Sequence, residues 1–234
     1  MHRYSGGNTI HLPYTIFALL LGLLSLQACS SRPLHIKNVA KGDIDLVADA
    51  HLQKINSLLK DLTVKLYKRN PRELHKQSNT IDFRLAQLFS RYSDLQFVEL
   101  DYRRNTEAIL LCFDDSFRGD RVFALMVGLT TMVRQSYNNH NEFFMFDSLD
   151  QQKLYNSARN IEILVWRLSN KRNKENEPYL LTNGLTGEPT NLSFERLFGQ
   201  MIVVQDMMAR IIADRTNRAI NRVVHSLASA AFLP

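Results

Sequence analysis

From Asp43 to about Lys68, Ala48, Leu52, Ile55, Leu59, Leu62 and Leu66 recur at alternating steps of three and four, while Lys54, Lys60, Asp61 and Lys65 fall elsewhere. That spacing draws one apolar stripe along a helix. The run stops at Asn70-Pro71-Arg72-Glu73, which predicts a new start with Asn as N-cap, Pro in the first position and Glu completing a capping box. The second, shorter helix then runs to about Gln77. Thr80 is placed to cap a third segment carrying Ile81, Leu85, Leu88, Tyr92 and Leu95 on one line. Residues 96–118 are harder to read: Phe97–Tyr102 partly alternates, and Ile109–Phe113 suits a strand or a buried helix. With helical patterns on both sides, mostly helix is expected. Gly119-Asp120 opens a pattern of Val122, Met126, Leu129, Val133 and Tyr137, which closes at the polar turn Asn138–Asn141.

The second half repeats the theme. From Asp150, Leu154, Ala158, Ile161, Val165 and Leu168 form another stripe, with the lone Trp166 beside it. Asn170–Thr190 differs, mixing two Gly, two Pro and dense charge, with Tyr179-Leu180-Leu181 as an apolar island that either docks on the body or stays free for a partner. A last helix is predicted from Ser193 to about Ala231, with Met201, Val204, Met208, Ile211 and Ile212 toward the core. Asp206, Arg210, Asp214, Arg218 and Arg222, four apart, would line its exposed face as favourable pairs. The expected fold is all-α, an irregular helical bundle with a long C-terminal helix. Its core should include Leu52, Ile55, Leu59, Leu62, Leu88, Met126, Leu129, Ile161, Val165 and Met208.

Ahead of this body the pattern changes in kind. Arg3 is the one cation before the apolar run Tyr14–Leu26, no acid precedes it, and Leu26-Gln27-Ala28-Cys29 closes it. A weakly positive start, a short apolar middle and small residues before a cut make a bacterial secretory signal. The run falls short of the roughly 20 apolar residues of a spanning helix. Cys29 after a small residue resembles the lipobox of bacterial lipoproteins. The resemblance implies cleavage before Cys29, lipid on its thiol and a membrane anchor. Ser30 and Ser31, in place of the Asp that retains such proteins in the inner membrane, imply outer-membrane sorting, facing the periplasm. The expected organisation is a signal peptide over 1–28, a lipidated tether over 29–42 and one helical domain over 43–234. At about 3.5 Å per extended residue, the tether keeps the body within roughly 40 Å of the bilayer.

Charge and cysteine content fit that picture. The chain has 29 Lys and Arg against 23 Asp and Glu, and removing residues 1–28 takes one cation and no acid, leaving +5. Such an excess suits anionic surfaces but is far from that of a nucleic-acid binder, so no nucleic acid is expected. With lipid on Cys29, only Cys112 remains, so no internal disulfide forms. Cys112 lies in the apolar stretch Ala108–Phe113, where a small buried hydrophobe is expected rather than a catalytic thiol.

Chemistry-bearing motifs are sparse. His51, His75, His140 and His225 have no His or Cys partner at metal-ligand spacing, and no nucleophile elbow or Walker loop is present, so neither metal nor cofactor is expected. Asn183–Gly187 reads as a turn. Asp114, Asp115, Asp147 and Asp150 are the acids from which a glycan hydrolase could draw its pair, although all border helical patterns where acids serve as caps. Cations gather at Lys65, Lys68, Arg69, Arg72 and Lys76, and again at Arg167, Lys171, Arg172 and Lys174. Helix C-termini attract them, but they also suit a face toward lipid or lipopolysaccharide. Leu62–Pro71 is similar to the closing half of a tetratricopeptide unit; the opening half and a second copy near 34 residues on are missing, which favours the irregular bundle. The expected function is non-catalytic: an envelope lipoprotein binding or helping to assemble another envelope component, with an envelope protein as the expected partner, and with peptidoglycan or glycan hydrolysis or binding toward lipid or lipopolysaccharide as alternatives.

Overall fold

Most apolar stripes become the buried side of a helix; the third is cut short, because its helix ends at Phe89 with Ser90 extended, leaving Leu95 outside it at positive φ. The computed structural model describes residues 42–90, 94–144, 148–182, 192–222 and 232–233. Cys29 and its signal, Tyr92, Asp147, the turn Asn183–Gly187 and His225 lie outside them. Among the described residues, seven α-helices follow in the order α1 (Asp43–Arg69), α2 (Pro71–His75), α3 (Ile81–Phe89), α4 (Asn105–Leu111), α5 (Arg121–Ser136), α6 (Gln151–Asn170) and α7 (Ser193–Thr216), with one 3₁₀ turn at Val98–Leu100. Among the described residues there is no strand, only an isolated bridge between Arg172 and Pro178. The fold is all-α.

Helix α5 is the axis of the bundle. Every residue from Val122 to Val133 is buried, because α1, α3, α4 and α6 all pack on it. Asp120 starts the helix by accepting from Phe123 N at 2.9 Å. Gly128 is required where α4 crosses: a Cβ there would lie 2.5 Å from Asn105 O and 2.6 Å from Ile109 N. Around α5, α7 packs against both α1 and α6. One cluster unites the core, including Leu59, Leu62, Met126, Leu129, Ile161 and Met208 with no exposed surface. Truncating one such Leu to Ala removes about 2–5 kcal/mol.

Side-chain bonds also fix the starts of α1, α3 and α6. Asp45 Oδ2 accepts from Gly42 N at 2.8 Å, Thr80 Oγ1 from Phe83 N at 3.2 Å, and Asp150 Oδ1 from Gln152 N and Lys153 N. Residues 96–118 resolve as the 3₁₀ turn, a reversal with Asp101 and Tyr102 at positive φ, and α4. Asn138 and Asn139, both left-handed, make the turn expected there.

Some expectations need correction. Val165 is half-buried, packing against the core from outside while Ile161, Leu164 and Leu168 are buried within it. On α3, Leu85 is half-buried and Arg84 takes the core position. Helix α7 ends at Thr216, where Asn217 turns left-handed at φ 51°, so Arg218 and Arg222 lie beyond the charged row. Asp206 pairs instead with Arg159 of α6 at 2.6 Å. Val204 and Ile211 are half-buried.

Candidate functional site

Three separate segments meet in a cleft of about 690 Å³: the junction of α1 and α2, the turn from Asp115 to Arg121, and the loop from Asn173 to Leu181. The junction is built on Asn70, which makes no N-cap bond to α2. Its amide instead reaches across to the loop, donating to Leu181 O at 2.9 Å and accepting from Leu181 N at 2.7 Å, while also donating to Leu66 O at 2.9 Å. Glu73 does not complete a capping box either. Its carboxylate accepts from Arg121 N at 2.6 Å and Lys76 Nζ at 2.8 Å, binding α2 to the start of α5. Lys76 also donates to Gly119 O at 3.0 Å.

The second wall depends on Arg121. Its Nη1 donates to Leu111 O, Cys112 O and Asp114 O at 3.3, 2.8 and 2.8 Å, and its Nη2 to Phe117 O at 3.0 Å. A cation is favoured there because those carbonyls belong to the end of α4 and the turn after it. The third wall docks through Tyr179, whose hydroxyl donates to Asp115 Oδ1 at 2.9 Å and whose ring meets Phe113 edge-on at 5.7 Å. Burial, then Asp115, raises the Tyr179 phenol above its usual value. Leu180 is buried, so the apolar trio Tyr179–Leu181 is seated on the body. Within the loop, Asn173 N donates to Glu177 O at 2.9 Å and Asn173 Oδ1 accepts from Glu177 N at 2.8 Å.

The cations predicted in two groups divide by environment. Lys65 turns toward α7, with its ammonium 4.7 Å over the Phe194 ring, and Arg167 lies 5.0 Å from the Phe232 ring. Arg69, Arg72 and Lys174 reach the cleft, joined by Arg118. Lys68, Lys171 and Arg172 are outside its lining. The exposed side chains of Arg72, Arg118, Lys174, Glu175 and Glu177 have no hydrogen bond or ion pair among the described residues. The cleft therefore has an inner layer of internally bonded polar groups and an outer rim of unpaired charges, three positive and two negative.

No protein-family model matches this chain, and neither a curated protein nor a solved structure does.

Of the acids considered for catalysis, the three described ones, Asp114, Asp115 and Asp150, have separate engagements. Asp114 is exposed and held below the usual carboxylate range by Ser116, which donates from Oγ at 2.7 Å and from N at 2.8 Å. Asp115 lines the cleft under Tyr179, and Asp150 caps α6 outside it. Cys112 is fully buried, and burial pushes its thiol upward. His51 packs its Nδ1 3.3 Å from Val204 O, and burial lowers it. His75 is exposed, and His140 stacks near Phe143 at 5.4 Å. Among the described residues, no group of three His, Cys, Asp or Glu could hold a metal ion, and no helix is long and apolar enough to cross a membrane.

Sequence reasoning missed the most heavily bonded polar group. Arg84 has no exposed surface, yet forks onto Glu99 at 2.6 and 2.9 Å, meets Gln87 and Gln77 at 2.9 and 3.2 Å, and approaches Asp120 at 3.3 Å. Its guanidinium lies 3.7 Å from the Phe123 ring centroid. Asp120 also accepts from Tyr67 OH at 2.8 Å. Burial pushes the Asp120 carboxyl up to about 6, against the pull of Phe123 N, Tyr67 and Arg84. The available signal was Arg84 itself, three residues after Ile81 and four before Leu88 on their helical face.

Proposed function

We propose that this chain is a bacterial lipoprotein, anchored to the outer membrane through lipid on Cys29 and facing the periplasm, whose helical body holds another envelope protein without catalysis. The N-terminal likeness to a lipobox supports the anchor. The observation that carries the binding role is the charged cleft. Its inner groups are engaged within the protein, so among the described residues Arg72, Arg118, Lys174, Glu175 and Glu177 are left to meet a ligand. Rigid walls with an adaptable charged rim suit recognition, and rim charges govern partner choice and encounter rate more than affinity. Two carboxylates among the cations support a polypeptide over a phosphate-rich lipid surface, which would repel them. Asp114 held low, Asp115 bonded to Tyr179 and Asp150 committed to a cap support holding over hydrolysis, which needs one acid with a raised pKa.

The test places a photo-crosslinking side chain at Arg118 in intact cells. A single captured polypeptide is expected, and the double change Arg72→Glu with Lys174→Glu should reduce its capture about tenfold without altering the melting temperature. Capture unaffected by charge reversal would remove the cleft from the interaction. In parallel, Cys29→Ser should leave the protein unlipidated; acyl mass persisting on that variant would refute the anchor.

A further inference from the structure

Helix α7 carries two stripes of the same spacing on opposite sides. Phe194, Phe198, Met201, Gln205, Met208 and Ile212, at alternating steps of four and three, are all buried against the body. Arg196, Gln200, Val203, Met207, Arg210 and Asp214 repeat those steps two residues later, about 200° around the helix. All six are exposed. Alternating steps of four and three make the seam that one helix presents to another in a coiled coil. The first seam joins α7 to its own bundle, and the second is left in solvent.

The outer seam has the same layout from either end. Val203 and Met207, 61% and 49% exposed, form its apolar centre. Arg196 stands seven residues before Val203 and Asp214 seven after Met207, so charges of opposite sign close the two ends. The side chains of Arg196, Gln200, Arg210 and Asp214 make no hydrogen bond or ion pair among the described residues. The charge that Arg196 does feel is the like one of Lys65. Gly199, one turn before Val203, weakens the helix without a packing reason among the described residues, since nothing lies within 4 Å of the place a Cβ would take. Helix α1 widens the apolar centre. Lys65 lies by Phe194 and His51 by Val204, so α1 runs antiparallel to α7. Val47, one turn before His51 and 36% exposed, therefore comes level with Met207.

We propose that α7 is a self-association face, on which a second copy of this chain packs its own α7 antiparallel along the seam from Arg196 to Asp214. With the two-fold axis between Val203 and Met207, Val203 meets the partner's Met207, Gln200 the partner's Arg210, and Arg196 the partner's Asp214. Each contact occurs twice, as a closed two-fold interface requires. Parallel pairing would instead stack Arg196 on Arg196 and Asp214 on Asp214. A different protein would have to repeat this arrangement to match both charged ends, whereas a second copy does so by symmetry. The contact uses no residue of the charged cleft, so each copy keeps its own.

The test follows the full chain by sedimentation in detergent, with micelles in excess, as its concentration is raised. A reversible dimer is expected, and Val203→Glu together with Met207→Glu should abolish it while circular dichroism stays helical. Arg196→Asp and Asp214→Arg should each weaken the dimer at least about tenfold, because both ends of the seam then oppose like charges. Mixing those two variants should restore parental strength, since every charged contact across the axis again joins opposite signs. A role for either residue within its own chain would not be rescued by mixing. A parent that is monomeric up to about 100 μM overturns the proposal. So does a dimer that survives both Glu changes, or a mixture no tighter than its components. Single charge variants that dimerise like the parent overturn it as well, since the charged ends then do not meet. A monomeric parent whose melting temperature falls with the two Glu changes assigns the face to another part of the same chain, against the proposal.

Discussion

Two kinds of polar lock hold this bundle, and they differ in charge, burial and reach. Around Arg84 the lock is ionic: one cation, two carboxylates, two amides and a phenol converge, with Arg84 and Asp120 buried, joining α1, α3, the 3₁₀ turn and the start of α5. At Asn70, Gln152 and Asn160 the lock is neutral: one amide grips one residue of a passing loop or tail. A buried charge requires all of its partners at once, since removing one strands the others away from water. A neutral clasp can open alone, with water replacing both bonds. The ionic lock thus defines the part of the molecule that stays closed, and the clasps mark the parts able to exchange. The charged cleft is bounded by one of these clasps, at Asn70.

The largest expected effect comes from breaking the ionic lock. Arg84→Ala should cost about 3–5 kcal/mol in urea unfolding, because Asp120 and much of Glu99 are left buried without a counter-charge. Lys in its place should restore only part, lacking the fork that meets both Glu99 oxygens. A neutral clasp should fail more gently. Asn70→Ala should cost about 1–3 kcal/mol by orphaning the Leu181 backbone, and should speed proteolysis of the loop 173–182 while circular dichroism stays helical. If that loop is cut no faster, the amide is not what holds it.

A third experiment separates the two locks by pH. Glu99 takes both arms of the Arg84 fork and leaves Asp120 the longer 3.3 Å contact, so burial holds the Asp120 carboxyl at about 6, against about 3.9 in an unfolded chain. A raised carboxyl makes the folded state retain a proton that the unfolded state has released. This contribution is complete below about pH 4 and is lost as pH rises through about 6. Asp120→Asn keeps an N-cap and should remove that slope from the pH dependence of the unfolding free energy; an unchanged slope would assign it elsewhere. The smallest effect belongs to the part-exposed pair Arg159–Asp206, where Asp206→Asn should cost at most about 1 kcal/mol, less in high salt.

The contrast also explains what could be read in advance. Stripes such as Leu52–Leu66 on α1 and Leu154–Leu168 on α6 were legible because burial at every third or fourth residue leaves a mark within one segment. Arg84 was hidden because a cation ordinarily reads as solvated, and its partner Glu99 lies across the ambiguous stretch before α4. The clasps left no mark, since Asn70 grips Leu181 by backbone atoms 111 residues away. The cleft was half legible. Its cations stood out as two groups, but their meeting depends on Tyr179 reaching Asp115 and Leu180 reaching the core. Docking was one of the two outcomes open for Tyr179–Leu181, and the structure selects it.

The burial of Cys112 turns the native protein into its own clock. A thiol with no exposed surface, its thiolate suppressed by its apolar surroundings, reacts with an alkylating reagent only in molecules that have opened. With lipid on Cys29, it would be the one thiol left to titrate. The rate at which that sulfur is consumed would then report how often α4 leaves α5, in a purified sample or a living cell, without any probe being added to the chain.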